Sequence, residues 1–107
     1  MIIKDEKTDW VRIYMSGPIE EAKQIIRHAC LHEGLCVTIE PTLFIYTGGE
    51  EQGFVVGLLN YPRFPASTEH IWRRASEIAH MLLTGLAQHS VLLMTPDMTR
   101  WITRREQ

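Results

Sequence analysis

His28 and His32 stand four residues apart in a segment whose apolar residues recur at helical spacing, which puts both imidazoles on one helix face. That is metal-ligand spacing, and Glu21 lies further back along the same segment. Zinc normally takes three or four protein ligands, however, and the sequence fixes no third one. The pair therefore reads as a solvated polar face, and no metal site is expected. His70, His80 and His89 could each act as a general base. None has a nucleophile or an orienting carboxylate at a spacing that would complete a catalytic set. Cys30 falls on an apolar stripe and reads as a small buried hydrophobe. No catalytic residue and no cofactor is assigned.

The aromatic residues give a second group. Val11, Ile13 and Met15 alternate with Trp10, Arg12 and Tyr14, so one strand face carries two aromatics and a cation. Such a face could stack bases, but the basic and aromatic run of RNA-binding sheets is missing further along. With a net charge of -2 and a pI of about 6.2, neither nucleic acid nor an anionic membrane is an expected partner. Trp, Tyr and Arg together fit a subunit interface better. The run from Tyr46 to Gly53 holds three glycines whose freed amides could cradle an anion, yet Glu50 and Glu51 oppose one. It also lacks the Lys-Ser/Thr pair of a phosphate loop, so it reads as a hairpin turn. In Asn60-Tyr61-Pro62-Arg63-Phe64-Pro65 the prolines stiffen two aromatics into an edge that a ligand or partner could use. The ligand-binding candidates are Tyr14, Glu40, Tyr46, Tyr61 and Arg63.

These residues need elements to hold them. Alternation predicts strands near residues 10–16, 35–46, 53–61 and 91–96, and helical spacing predicts helices near 18–33 and 67–88. Ser67 is a good N-cap for the second helix, and Gly34 would supply the left-handed stop of the first. Pro41 marks its strand as an edge or a bulge. The order βαββαβ predicts an α+β, ferredoxin-like sandwich: a four-stranded antiparallel sheet, spatial order 4-1-3-2, with both helices on one face. The fourth strand would then be an edge. A chain of 107 residues makes one domain, with residues 1–9 and 103–107 set apart as tails.

Phe54-Val55-Val56-Gly57-Leu58-Leu59 and Val91-Leu92-Leu93-Met94 are apolar on both faces. Two helices cover only one face, so the other is expected to be covered by a second copy of the chain, in a dimer or trimer. The alternative is that residues 97–104 fold back across it. Two cysteines without a disulfide framework, no apolar leader and no run of roughly 20 apolar residues point to the cytoplasm.

Cys36-Val37-Thr38-Ile39-Glu40-Pro41, followed by Ile45-Tyr46 and a glycine turn, resembles the second strand of the CutA proteins. Glu20-Glu21-Ala22-Lys23 through Gly34 is similar to their first helix, so the resemblance spans roughly residues 11–61. It implies a ferredoxin-like homotrimer with a long hairpin, related in architecture to the PII proteins and linked to divalent-cation tolerance. Where that family has Trp-x-Gly after the tyrosine this chain has Thr47-Gly48-Gly49, and His89-Ser90 replaces a His-Pro-Tyr segment. No catalytic or metal-binding residue is carried over.

The function expected from all this is a non-enzymatic oligomeric module that binds a small molecule or a partner at subunit clefts. One alternative is a small enzyme whose site forms between subunits. The stretch Val11 to Pro18 is similar to the first strand and turn of nucleoside deoxyribosyltransferases, over eight residues. The other alternative is an accessory protein of a phage or mobile element that binds a host protein.

Overall fold

In the computed structural model, which describes residues 1–33 and 35–105, the chain runs β1 (Trp10–Ser16), α1 (Ile19–His32), β2 (Thr38–Tyr46), β3 (Gly49–Leu59), α2 (Thr68–Gly85), β4 (Ser90–Met94) and β5 (Thr99–Thr103). The fold is α+β, with two helices and one five-stranded antiparallel sheet of order β2-β3-β1-β4-β5. The alternation in β1 settles which face is inside. Val11, Ile13 and Met15 are buried, and their partners across the ladder bury Leu58, Val56 and Phe54. Both helices lay their stripes on this face: Ala22, Ile26 and Ala29 from α1, and Ile71, Ala75, Ile78, Ala79, Leu82 and Leu83 from α2.

The expected sheet of four strands is corrected to five, and β4 is not an edge. Thr95 Oγ1 accepts from the backbone N–H groups of Asp97 and Met98, closing a turn that sends the chain back alongside β4. Residues 99–103 then pair in plane with β4 and do not fold across the open face, as the alternative expectation had it. Leu92 stands opposite Trp101 and Val91 opposite Ile102, so Ile102 joins the core edge while Trp101 faces out. The third strand also begins earlier than expected. Glu50, Glu51 and Gln52 have little intrinsic preference for a strand, but β2 imposes its ladder on them as far as the Tyr46–Gly49 pair. Gly48, at φ 90°, makes the tight turn between the two strands.

Pro41 lies in β2, an outer strand, as its chemistry requires. Ser67 caps α2, its hydroxyl accepting from the His70 N–H at 3.1 Å. The expected glycine stop of α1, Gly34, lies outside the described residues. Of the residues set apart as tails, Thr103 belongs to β5. Lys7 and Asp9 are bonded to the body: Asn60 donates to the Lys7 carbonyl at 2.8 Å, and the Thr68 hydroxyl to Asp9 Oδ2 at 2.7 Å. Among the described residues no helix is long and apolar enough to cross a membrane.

Candidate active site

The face of the sheet away from the helices carries one row of side chains across all five strands. Glu40, Val55, Tyr14, Leu92 and Trp101 are successive partners in the ladders from β2 to β5. Directly opposed residues in antiparallel strands point to the same side, so this row is a surface and not a coincidence of burial. Beside it, where β2 and β3 extend beyond the sheet, lies an open cavity of about 550 Å³ lined by Tyr14, Ser16, Phe44, Tyr46, Glu51 and Trp101, among others.

Local backbone chemistry places each wall. Phe44 can lie flat over β3 because residue 53 is glycine. A Cβ there would clash with the Met15 carbonyl oxygen and meet the Phe44 ring at 2.5 Å, so no other residue fits without displacing the site. Tyr46 is two residues on, hence on the same side, and its hydroxyl donates to Glu51 Oε1 at 3.1 Å. That bond favours the neutral phenol, and together with partial desolvation and the charge of Glu51 it holds the Tyr46 hydroxyl above the ordinary tyrosine range. At the floor, the Ser16 hydroxyl donates to Gln88 Oε1 at 3.3 Å and the Ser90 hydroxyl to Thr103 Oγ1 at 2.8 Å. The cavity therefore joins four aromatic rings, an apolar floor from Leu92 and Met94, and one carboxylate at the rim.

The structure divides the five sequence candidates among three places. Tyr14 and Tyr46 come together in this cavity. Glu40 lines a neighbouring depression of about 470 Å³ on the same face, with Trp10 and Arg12, whose guanidinium lies 4.7 Å from the Trp10 ring. Tyr61 lines a different hollow at the end of the helical layer, with Leu35, Phe64, His70 and Arg74. Arg63 is exposed and stacks 5.4 Å from the Phe64 ring. Tyr61 and Arg63 thus stand apart from Tyr14, because the connector holding them leaves the open face after Leu59. The sequence reading missed Phe44, Glu51 and Trp101. Phe44 had a usable signal, since it alternates with Tyr46.

Beside the end hollow, whose lining includes His70 and Arg74, lies a network of ion pairs. Arg74, its side chain nine-tenths buried, is held by Glu77 one turn along α2, and its Nε lies 3.3 Å from Glu33 Oε2 after α1. That Nε is buried without a well-aligned acceptor. Arg73 pairs with Glu77 at 3.3 Å, and His70 lies 3.4 Å from Glu33. With the carboxylates matched to the guanidinium groups, the cluster reads as a clamp between α1 and α2.

No family model and no curated protein matches the sequence. Solved structures do match. A phage SAM lyase in complex with S-methyl-5'-thioadenosine superposes with a TM-score of 0.74 at 14% identity, over 99% of this chain and 98% of the other. A phage SAM lyase in the apo state gives 0.68 at 15% identity, over 92% of this chain and 91% of the other. The likeness is one of fold.

Two expectations are corrected by it. The architecture taken for that of a non-enzymatic binding module is an enzyme's in the structures it matches, one of them holding a nucleoside. The CutA-like reading likewise gives way, because the full-length match is to phage SAM lyase and not to a PII-like signalling trimer.

Proposed function

We propose that this chain binds S-adenosylmethionine in the open-face cavity and cleaves it as a lyase, leaving S-methyl-5'-thioadenosine. The observation that carries the reading is the pairing of an aromatic box with a carboxylate, in a cavity of small-molecule size, on a fold that matches such an enzyme from end to end. The sulfonium substrate needs three kinds of contact. Its adenine ring needs a stacking surface, and Tyr14, Phe44 and Trp101 offer flat faces worth about 1–3 kcal/mol per stacked base. Its cationic sulfur is attracted to aromatic faces. Its ammonium and reacting carbon need an anionic partner, which Glu51 supplies with Tyr46 holding the carboxylate in place.

The chemistry is a bond cleavage without water. The bond from sulfur to the four-carbon amino acid breaks, and its electron pair goes to sulfur, which becomes a neutral thioether. The carbon fragment balances this by losing a proton from the adjacent carbon or by closing on its own carboxylate. In the first route Glu51 accepts the proton; in the second it orients the ammonium group. Either way the charged reactant becomes neutral at the sulfur, so an apolar floor favours the product side of the step.

The topology supports a ferredoxin-like unit, β1 to β4, to which β5 is an addition. We also infer that copies of the chain associate. The hairpin beyond the sheet exposes Leu43 and Ile45, the latter at 75%, and the cavity is walled on one side only. A second copy would cover the apolar open face and close the site.

Incubation of the purified protein with S-adenosylmethionine, followed by chromatography of the nucleosides, tests the activity. S-methyl-5'-thioadenosine should accumulate, and Glu51→Gln should slow it, by at least about 100-fold where Glu51 accepts the proton, the range of a lost acid–base group, and by less where it only orients the ammonium group. Trp101→Ala should weaken binding of the thioadenosine by about 1–3 kcal/mol. No product, together with no thermal shift from either nucleoside, would overturn the proposal.

A further inference from the structure

The outer surface of the helical layer holds a constellation that the sheet face does not use. His28 and His32 are both exposed on successive turns of α1, and their Nε2 atoms stand 3.3 Å apart with the ring centroids 4.8 Å apart, edge to face. Among the described residues the hydrogen-bonding neighbour of each ring is the other, and neither is held by a carboxylate. Two nitrogens each about 2.0–2.1 Å from one ion, at the tetrahedral angle, stand about 3.3 Å apart. The gap between the imidazoles matches the edge of a tetrahedral zinc site. Histidines four apart on a helix chelate through the same two nitrogens in the metalloprotease motif, so the helix itself supplies the geometry.

We propose that His28 and His32 form a two-histidine clip for a divalent transition-metal ion, zinc in tetrahedral coordination, with water in the remaining positions. Among the described residues no three ligating His, Cys, Asp or Glu side chains converge, so solvent and not the protein completes the shell. Imidazole pairs select zinc, copper and nickel over magnesium and calcium, which want oxygen. The ligand class is thus a borderline transition-metal ion. His28 also borders an open groove between α1 and α2, with His80 and Met81 on its far wall. The clip belongs to the helical layer, on the other side of the sheet from the open-face cavity, and does not depend on the lyase reading.

Calorimetric titration of the untagged chain of 107 residues with zinc chloride tests it. One zinc per chain is expected, with no heat from magnesium. His28→Gln and His32→Gln should each weaken zinc by at least about tenfold, since losing a ligand costs no less than losing its outer support. Both positions are exposed, so the variants fold. Zinc should raise the melting temperature of the parent chain and not of the double variant, because an ion that binds only the folded state stabilises it. The proposal is overturned if the double variant keeps parental affinity, which would place zinc on Cys30 or Cys36. It is equally overturned if His80→Gln weakens zinc as much as His28→Gln, which would move the ion into the groove. Absence of binding under excess zinc would leave the two rings as a hydrogen-bonded pair and end it.

Discussion

The two faces of the sheet are built from the same strands and nearly the same residue types, yet they do opposite things. Phe54, Val56 and Leu58 of β3 vanish under the helices, while their sequence neighbours Val55, Gly57 and Leu59 remain partly or well exposed. Both sets are apolar apart from a glycine. What separates them is the period of two, which gives each strand two independent surfaces. On the covered face apolar residues meet complementary stripes and contribute stability. On the open face no second layer of the described residues covers them, and the aromatic rings stay available to a ligand or a second copy. Apolar character on a strand does not identify core; the supply of covering elements does.

The sharpest way to break this contrast is a matched pair of truncations. Phe54→Ala should cost about 3–5 kcal/mol in urea denaturation, as expected for a fully buried aromatic. Val55→Ala, one residue on, should cost about 1 kcal/mol or less, because its side chain is only half buried. Equal losses would mean that the two faces are equally integral to the monomer. A middle-sized effect should come from Leu59→Lys. If the open face is covered by another copy, light scattering should show the variant as a single chain, with monomer stability within about 0.5 kcal/mol of the parent. An unchanged mass would place the contact elsewhere, with the hairpin residues Leu43 and Ile45 the next surface to probe.

The smallest effect lies at the rim of the cavity. The Tyr46 hydroxyl, bonded to Glu51, titrates above the ordinary tyrosine range. Its folded value exceeds its unfolded one, so the small stabilisation is present below the unfolded value and is lost as pH rises through the folded one. Glu51→Gln should lower the alkaline midpoint of one tyrosine in an ultraviolet titration. A midpoint that stays put would show that the bond does not govern Tyr46.

Much of this was legible in the residues. Val11, Ile13 and Met15 announced the inner face, the stripe of α2 was readable from Ile71 to Leu83, and Pro41 marked an outer strand. The strand β5 was harder. Thr99-Arg100-Trp101-Ile102-Thr103 has two threonines and an arginine among five residues, and it becomes a strand because β4 offers a free edge and Thr95 closes the turn. The cavity was less legible still. Tyr14 and Tyr46 stood out as aromatics, but Glu51 reads as a hairpin charge, and Trp101 as either a short final strand or an arm, until the five ladders align. Chemistry at such a site comes from cross-strand register, which no local motif records. Tyr61 and Arg63 show the converse: conspicuous residues placed elsewhere by a stiff connector.

Pro41 carries one more consequence. A proline within a ladder sits on an outer strand with its missing N–H directed away from the neighbour. The free rim of β2 therefore lacks a donor midway along its length, and an added strand could not complete its bonding there. The opposite rim, β5, is short and carries Arg100, with Arg104 and Arg105 just beyond it. Both margins of the sheet thus resist growth by strand addition, one by a missing donor and one by repulsion between like charges. A chain with so much uncovered apolar surface can associate face to face while remaining closed to fibre-like extension.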